Sequence, residues 1–174
     1  ERVGTLTVNM RSPMEIFKRL EVALPTDYQQ VSMRPSETDT LQEMISFNFE
    51  SDLTAIIDGL HKQKVSPNSI AILTSNFWIE QLKRTGLLET LKKKVALVET
   101  SSRARGLEYP IIIVYGIGIH EQNELVNAYS RATSRVMAFY HFMDFHNITS
   151  TDPRLSSFLK EMLKNPEVRE AIQR

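Results

Sequence analysis

The stretch SIAILT, Ser69–Thr74, decides the fold. It is a short, continuous apolar run with no polar alternation, the mark of a strand buried on both faces. A strand covered on both sides belongs to a parallel sheet between helical layers, so its neighbours in sequence have to supply helices. They do. Downstream, a helix runs through Phe77, Trp78 and Leu82 and a short one through Leu87, Leu88 and Leu91. VALVET (95–100) and YPIIIVYG (109–116) are two more buried strands. Upstream, EMISFNF alternates as a strand and ESDLTAIIDGLHKQK carries Leu53, Ile56, Ile57 and Leu60 on one helical face.

Further out, EQNELVNAYSRATS (121–134) is predicted as a helix and RVMAFYHF as a strand, and the tail from Pro153 as two helical pieces with Asn165-Pro166 capping the second. TLTVNM near the start is β-rich. SPMEIFKRLEVAL follows at helical spacing, with Ser12 as N-cap, Pro13 in the first helical position and Glu15 at N3. SMRPSETDT (32–40) reads as a loop. Strands alternating with helices give an α/β fold with a mostly parallel sheet and helices on both faces. Residues 1–150 form the domain and 151–174 a helical extension.

The 174 residues suffice for one domain with a real core, and 41% hydrophobic with 24% charged residues is an ordinary globular composition. Lys+Arg and Asp+Glu are equal at 21 each, which removes any argument from bulk basicity. Nucleic-acid binding then depends on how charge is distributed over the surface. With no cysteine, disulfides, thiolate catalysis and Cys-based zinc sites are excluded, which fits a cytoplasmic or nuclear setting. The longest apolar run, Ile111 to Ile119, is far short of the ~20 residues of a spanning helix, so no membrane association is expected. The start reads as strand rather than signal peptide, and the missing initiator Met suggests a piece of a longer chain.

Ligands of open parallel sheets collect beyond the carboxyl ends of the strands. The polar clusters NMRS after the first strand, TSN after SIAIL and TSSRARG after VALVE are placed there. No glycine-rich phosphate loop exists, and GIG (116–118) lacks the third glycine of a dinucleotide fingerprint. Arg11, between a strand and a capped helix start, suits an anion, although a surface arginine would look the same. Arg131 and Arg135, four apart in a helical reading, are equally compatible with structural ion pairs. His141, Asp144 and His146 would not converge on a metal if HFMDFH is a strand, so none is expected. NIT (147–149) matches a glycosylation sequon by coincidence. No Ser/His/Asp set or carboxylate pair has persuasive spacing.

Four stretches in order, LTVNMRSPMEI, SIAILTSN, VETSSRARGLEYPIIIV and ELVNAYSRATSRV, resemble the motifs of superfamily 1 helicases, specifically the second RecA-like lobe of the UvrD/Rep group. NMRS is similar to the family's N-Y-R-S, TSSRARGLE to T-x-H-x-x-K-G-L-E, and AYSRATSRV to A-L-T-R-A-x-x-R-L. The resemblance covers residues 5–140 and implies a three-layer RecA-like lobe without its own phosphate loop. In that family the first lobe holds the phosphate loop and the magnesium carboxylates, and the second closes over the nucleotide. It implies ATP with Mg2+ held mainly by a first lobe, Arg11 and Arg131 reaching the γ-phosphate, and Met10, Gly106 and Glu108 beside the nucleotide. It implies single-stranded RNA or DNA along Thr74, Ser75, Asn76, Thr100, Ser102 and Arg103, with an N-terminal RecA-like lobe as partner. Met10 replaces the family's base-stacking tyrosine, Ser102 the histidine and Arg105 the lysine of the motif after VALVE, and Ser130 the threonine before Arg131. The compact link from RARGLEYPIIIVYGI to the last motif is similar to the helicase-like part of Schlafen-type proteins. The rival expectation is a degenerate lobe kept as an interaction or regulatory module.

Overall fold

Alternation inside the buried strands sorts their side chains onto two faces of one sheet. The structure, a computed structural model, describes residues 6–13, 29–34 and 41–173. Its main sheet has five strands, all parallel: β3 (Leu41–Ser46), β4 (Ile70–Thr74), β5 (Leu97–Thr100), β6 (Tyr109–Tyr115) and β7 (Ala132–His141), in the order β3-β7-β6-β4-β5. Ile70, Ile72, Ile111, Ile113, Tyr115, Met137 and Phe139 face one layer. Ala71, Leu73, Ile112, Val114, Val136, Ala138 and Tyr140 face the other. This is an α/β fold with an all-parallel main sheet between two helical layers, as the sequence predicts.

The first layer is α1 (Phe49–Lys62), α2 (Asn76–Arg84) and α3 (Leu87–Lys92), which bury Leu53, Ile57, Leu60, Leu82, Leu88 and Leu91. Asn48 caps α1 by accepting from the Ser51 backbone N–H at 3.3 Å, and Glu50 and Asp52 sit in its first turn, where the helix dipole favours them. The second layer is α4 (Gln122–Tyr129), α5 (Ser157–Lys164) and α6 (Pro166–Gln173). Leu155, Leu159, Leu163 and Ile172 pack into the same core as the sheet, so the segment beyond 150 is part of the outer layer. Each such side chain contributes about 1.5–3 kcal/mol of burial.

Several sequence expectations are corrected. β1 (Leu6–Pro13) pairs in parallel with β2 (Gln29–Arg34) as a separate two-stranded sheet. Ser12 and Pro13 are therefore strand residues and not a helix cap; the helix expected beyond them lies outside the described residues, as does the rest of the 35–40 loop. Ser32, Met33 and Arg34 belong to β2 and not to a loop. The register jumps between Asn9↔Ser32 and Pro13↔Arg34, so Met10, Arg11 and Ser12 lie in a bulged stretch within β1. α4 stops at Tyr129 and Ala132 already begins β7, so Arg131 lies in a turn and Arg135 in a strand. The strand predicted through Phe142 ends at His141, and Phe142–Phe145 is a 3-10 turn.

Candidate functional site

Because the five strands run the same way, their connections divide between two edges of the sheet. The β5–β6 connection (101–108) crosses from the carboxyl edge at Thr100 to the amino edge at Tyr109 with no full helix between. The predicted residues separate along it. Thr74, Ser75, Asn76 and Thr100–Arg103 lie at the carboxyl edge; Gly106, Glu108 and Arg131 lie toward the amino edge.

At the carboxyl edge, Ser75 caps α2, its Oγ accepting from the Trp78 backbone N–H at 3.4 Å, and Asn76 is exposed in the first turn. Ser102 and Arg103 are exposed, Arg103 lying 3.5 Å from Glu99. Thr74, by contrast, is buried and its hydroxyl donates to the Tyr115 carbonyl. Thr100 is buried too, and its Oγ1 caps the turn by accepting from the Arg103 N–H at 3.3 Å. Ser101, between them, is buried with its hydroxyl donating to Glu124, while Asn127 Nδ2 donates to its carbonyl at 2.7 Å.

At the amino edge, the Tyr109 N–H donates to the Arg131 carbonyl at 3.0 Å, and the Arg131 N–H donates to the Ala128 carbonyl at 3.1 Å. This stitches the base of Arg131 beside Glu108. The Arg131 guanidinium donates through Nη2 to Ser130 Oγ at 3.2 Å. One residue before Ser130, the Tyr129 hydroxyl bonds Glu43 and lies 2.7 Å from the Tyr140 hydroxyl, which itself donates to Glu43 at 3.2 Å. Glu43 is 3% exposed, so this buried carboxylate anchors the end of α4 to β3 and β7. Gly106 has φ +88° with open space around it; the backbone conformation, not a close neighbour, selects glycine. Met10 and Arg11 are placed only by their position on the β1 bulge.

The structure also brings together residues that the sequence reading kept apart. After β4 the chain leaves to one side, toward β5, and after β6 it leaves to the other, toward β7. The crevice between these two strand ends is the topological switch point of the sheet. A cavity of about 410 Å³ opens there, lined by Phe77 and Trp78 after β4, Gly116, Gly118, His120 and Glu121 after β6, and His141, Met143 and Asp144 after β7. Trp78 lies against Gly116, with its ring 5.0 Å from Phe77 at 86° and 5.3 Å from His141 at 32°. Phe77 is 61% exposed and Met143 66%. Glu121 Oε1 accepts from the Gly118 N–H at 2.8 Å.

His141 and Asp144 thus share one cavity, contrary to a strand reading of HFMDFH. Burial raises the Asp144 carboxyl above its ordinary range, with Glu121 adding to the rise and His141 and His120 opposing it. Burial lowers His141, and the Asp144 charge opposes that shift. No hydrogen bond reaches Asp144 among the described residues. No group of three or more His, Asp or Glu side chains suits a metal ion among the described residues, and no described helix is long and apolar enough to cross a membrane. The missed signal was the lone tryptophan placed just after a helix cap; only strand order shows what it faces.

No family model and no curated protein matches the chain. Among solved structures, the chain is similar to the C-terminal domain of a possible DNA helicase from Lactobacillus plantarum, at 19% identity and a TM-score of 0.54. The match covers 76% of this chain and 88% of that one. The shared feature is the fold of that domain.

Proposed function

We propose that the chain is the second RecA-like lobe of a superfamily 1 helicase-like ATPase of the UvrD/Rep kind, with a Schlafen-type parent as the compact variant of that reading. The observation that carries it is the division of the motif residues between two edges of one sheet. Glu108, Gly106 and Arg131 sit together toward the amino edge, while Asn76, Ser102 and Arg103 lie exposed at the carboxyl edge. The shared helicase-domain fold supports it.

ATP with Mg2+ would supply the phosphoanhydride and its counter-charge. The residues here fit a completing role only, since a lone guanidinium and a glutamate cannot cradle a triphosphate without a glycine-rich loop. Arg131, with its backbone fixed on both sides, holds a cation where negative charge develops, and Arg11 on the β1 bulge is the second candidate. Such arginines are worth ~10³–10⁵ in rate. Glu108 offers an acceptor to a ribose hydroxyl, and Met10 an aliphatic contact to the base. Exposed Ser102, Arg103 and Asn76, with the α2 N-terminus capped by Ser75, attract the phosphates of single-stranded RNA or DNA.

The test joins this lobe to its own first lobe and compares Arg131→Ala with the parent. ATP turnover is expected to fall by roughly 10³; unchanged turnover removes the arginine from the mechanism. The lobe alone is expected to hydrolyse nothing. A second reading, a degenerate lobe acting as an interaction module, draws on the inward hydroxyls of Thr74 and Thr100 and on Met10. Strand binding that is absent even at low salt would select it.

A further inference from the structure

The switch-point cavity is not used by any residue role assigned above, and its chemistry is specific. Its wall is aromatic: Trp78 and Phe77 meet at a right angle, and His141 extends the Trp78 side. Rings in that arrangement offer a face and an edge to a flat heterocycle, and base–aromatic stacking is a general source of single-strand affinity. At about 410 Å³ it falls in the size range of small-ligand sites. Among the described residues no Lys or Arg lines it, and its carboxylates would repel a phosphate. A phosphate has a place next door, where the α2 N-terminus begins at Ser75 and Asn76, directly before Phe77.

We infer that this cavity is a nucleobase pocket with a preference for guanine, taken from a single strand whose backbone passes the start of α2. The discriminating group is Asp144, a carboxylate with no hydrogen-bond partner among the described residues. An ionised carboxylate only accepts, through two oxygens. Guanine presents two adjacent donors on its Watson–Crick edge, N1–H and the 2-amino group, and pairs with both oxygens at once. Adenine and cytosine place a ring acceptor beside their amino donor, and uracil flanks its single N–H with two carbonyls, so each sets an acceptor against Asp144. Glu121 is partly committed to the Gly118 N–H and acts as the second, weaker acceptor. The glycines are part of the design: a Cβ at Gly116 would lie 2.3 Å from the Trp78 ring, and one at Gly118 2.5 Å from His120.

The inference deepens the nucleic-acid half of the proposed function and rests on it for the source of the base. Trp78 is the only tryptophan in the chain, so its emission reports occupancy of this pocket directly. The experiment titrates the protein with GMP, AMP, CMP and UMP, and with end-labelled UUGUU, UUAUU and UUUUU, reading Trp78 emission and label anisotropy separately. Quenching by GMP and UUGUU at lower concentration than by the others is expected. Asp144→Asn should weaken the guanine ligands roughly ten-fold or more without weakening UUUUU, whose carbonyls then no longer face a carboxylate. Phe77→Ala, an exposed position, should weaken quenching by every base. Salt-dependent anisotropy with no base preference and no Trp78 response overturns the pocket and leaves the lobe's strand binding standing. Quenching by GMP with no strand binding keeps the pocket and removes the helicase-lobe reading. N-acetylarginine amide or a trimethyllysine peptide quenching in place of GMP makes the pocket a cation–π cage and overturns the inference. No response to any nucleotide or strand overturns both.

Discussion

Gly116 carries two constraints at once, φ +76° and an indole seated where a Cβ would be. Gly116→Ala is therefore expected to destabilise by about 1–3 kcal/mol, from left-handed strain plus displacement of Trp78. Urea unfolding measures the loss, and a shifted Trp78 emission maximum in the folded protein locates it. Asp144 is the opposite kind of residue, one the fold tolerates rather than needs. Its carboxyl is raised from 3.8 by burial, so the folded state holds the proton more tightly than the unfolded chain. The resulting stability is fully present below the unfolded value and is lost as pH rises through the folded one. In its ionised form the carboxylate sits in the cavity with no hydrogen bond among the described residues, eased only by His141 and His120, and Asp144→Asn is expected to raise the urea midpoint at pH 7. The advantage should shrink as pH falls through the folded value of Asp144. An equal midpoint for both proteins at pH 7 would show that solvent, not burial, sets this carboxylate. His141 shifts in the other direction, lowered from 6.5 by burial, and removes stability as pH falls from neutrality toward its folded value. Asp144→Asn takes away the charge that opposes this lowering, so the loss is larger in the variant.

The β5–β6 connection shows how an element without regular hydrogen bonding is held. Its entry is tied by Ser101 to Glu124 and by the Asn127 amide to the Ser101 carbonyl, both from α4. Asn127→Ala leaves that buried carbonyl without its donor and is expected to cost about 1–3 kcal/mol. Hydrogen exchange of the 102–106 amides should accelerate more than that of β4; uniform acceleration would mean that the turn is not a local unit. The same region marks what the sequence did and did not disclose. Buried strands such as Ile70–Thr74 and Tyr109–Tyr115 were legible because an apolar run of that length has few alternatives. The end of α4 was not. AYSRATS keeps helical composition, but Ser130 Oγ turns back to the Asn127 carbonyl at 3.0 Å and the Arg131 N–H closes on Ala128. From Ala132 onward, pairing with β6 and then with β3 on the other side outweighs local propensity. The switch-point cavity was hidden for a related reason. Trp78, Gly116 and Asp144 meet only because β4, β6 and β7 are neighbours in an order that no local pattern encodes.

Across the whole molecule, a net charge of zero means that any strand affinity has to come from where the charges stand. In the proposed function the sheet separates two duties by its own length: Glu108 and Arg131 at the amino edge would meet the nucleotide, and exposed Ser102 and Arg103 with the aromatic cavity at the carboxyl edge would meet the strand. The 101–108 connection runs between the two, so in that reading it is a physical route by which a nucleotide near Glu108 would bias a strand near Arg103. Arg103 tests the carboxyl half of this arrangement cleanly. Its side chain is 69% exposed and, among the described residues, paired with Glu99 alone across 3.5 Å, a contact worth little to stability. Arg103→Ala is expected to leave the unfolding midpoint unchanged and to weaken every single strand alike, without touching base preference. The slope of log K against log salt should fall by about 0.7–1, the loss of one phosphate contact. Glu108→Ala, at the other edge, should leave that slope unaltered. If both substitutions shift it equally, the two edges are not separate surfaces, and the strand crosses the face of the sheet.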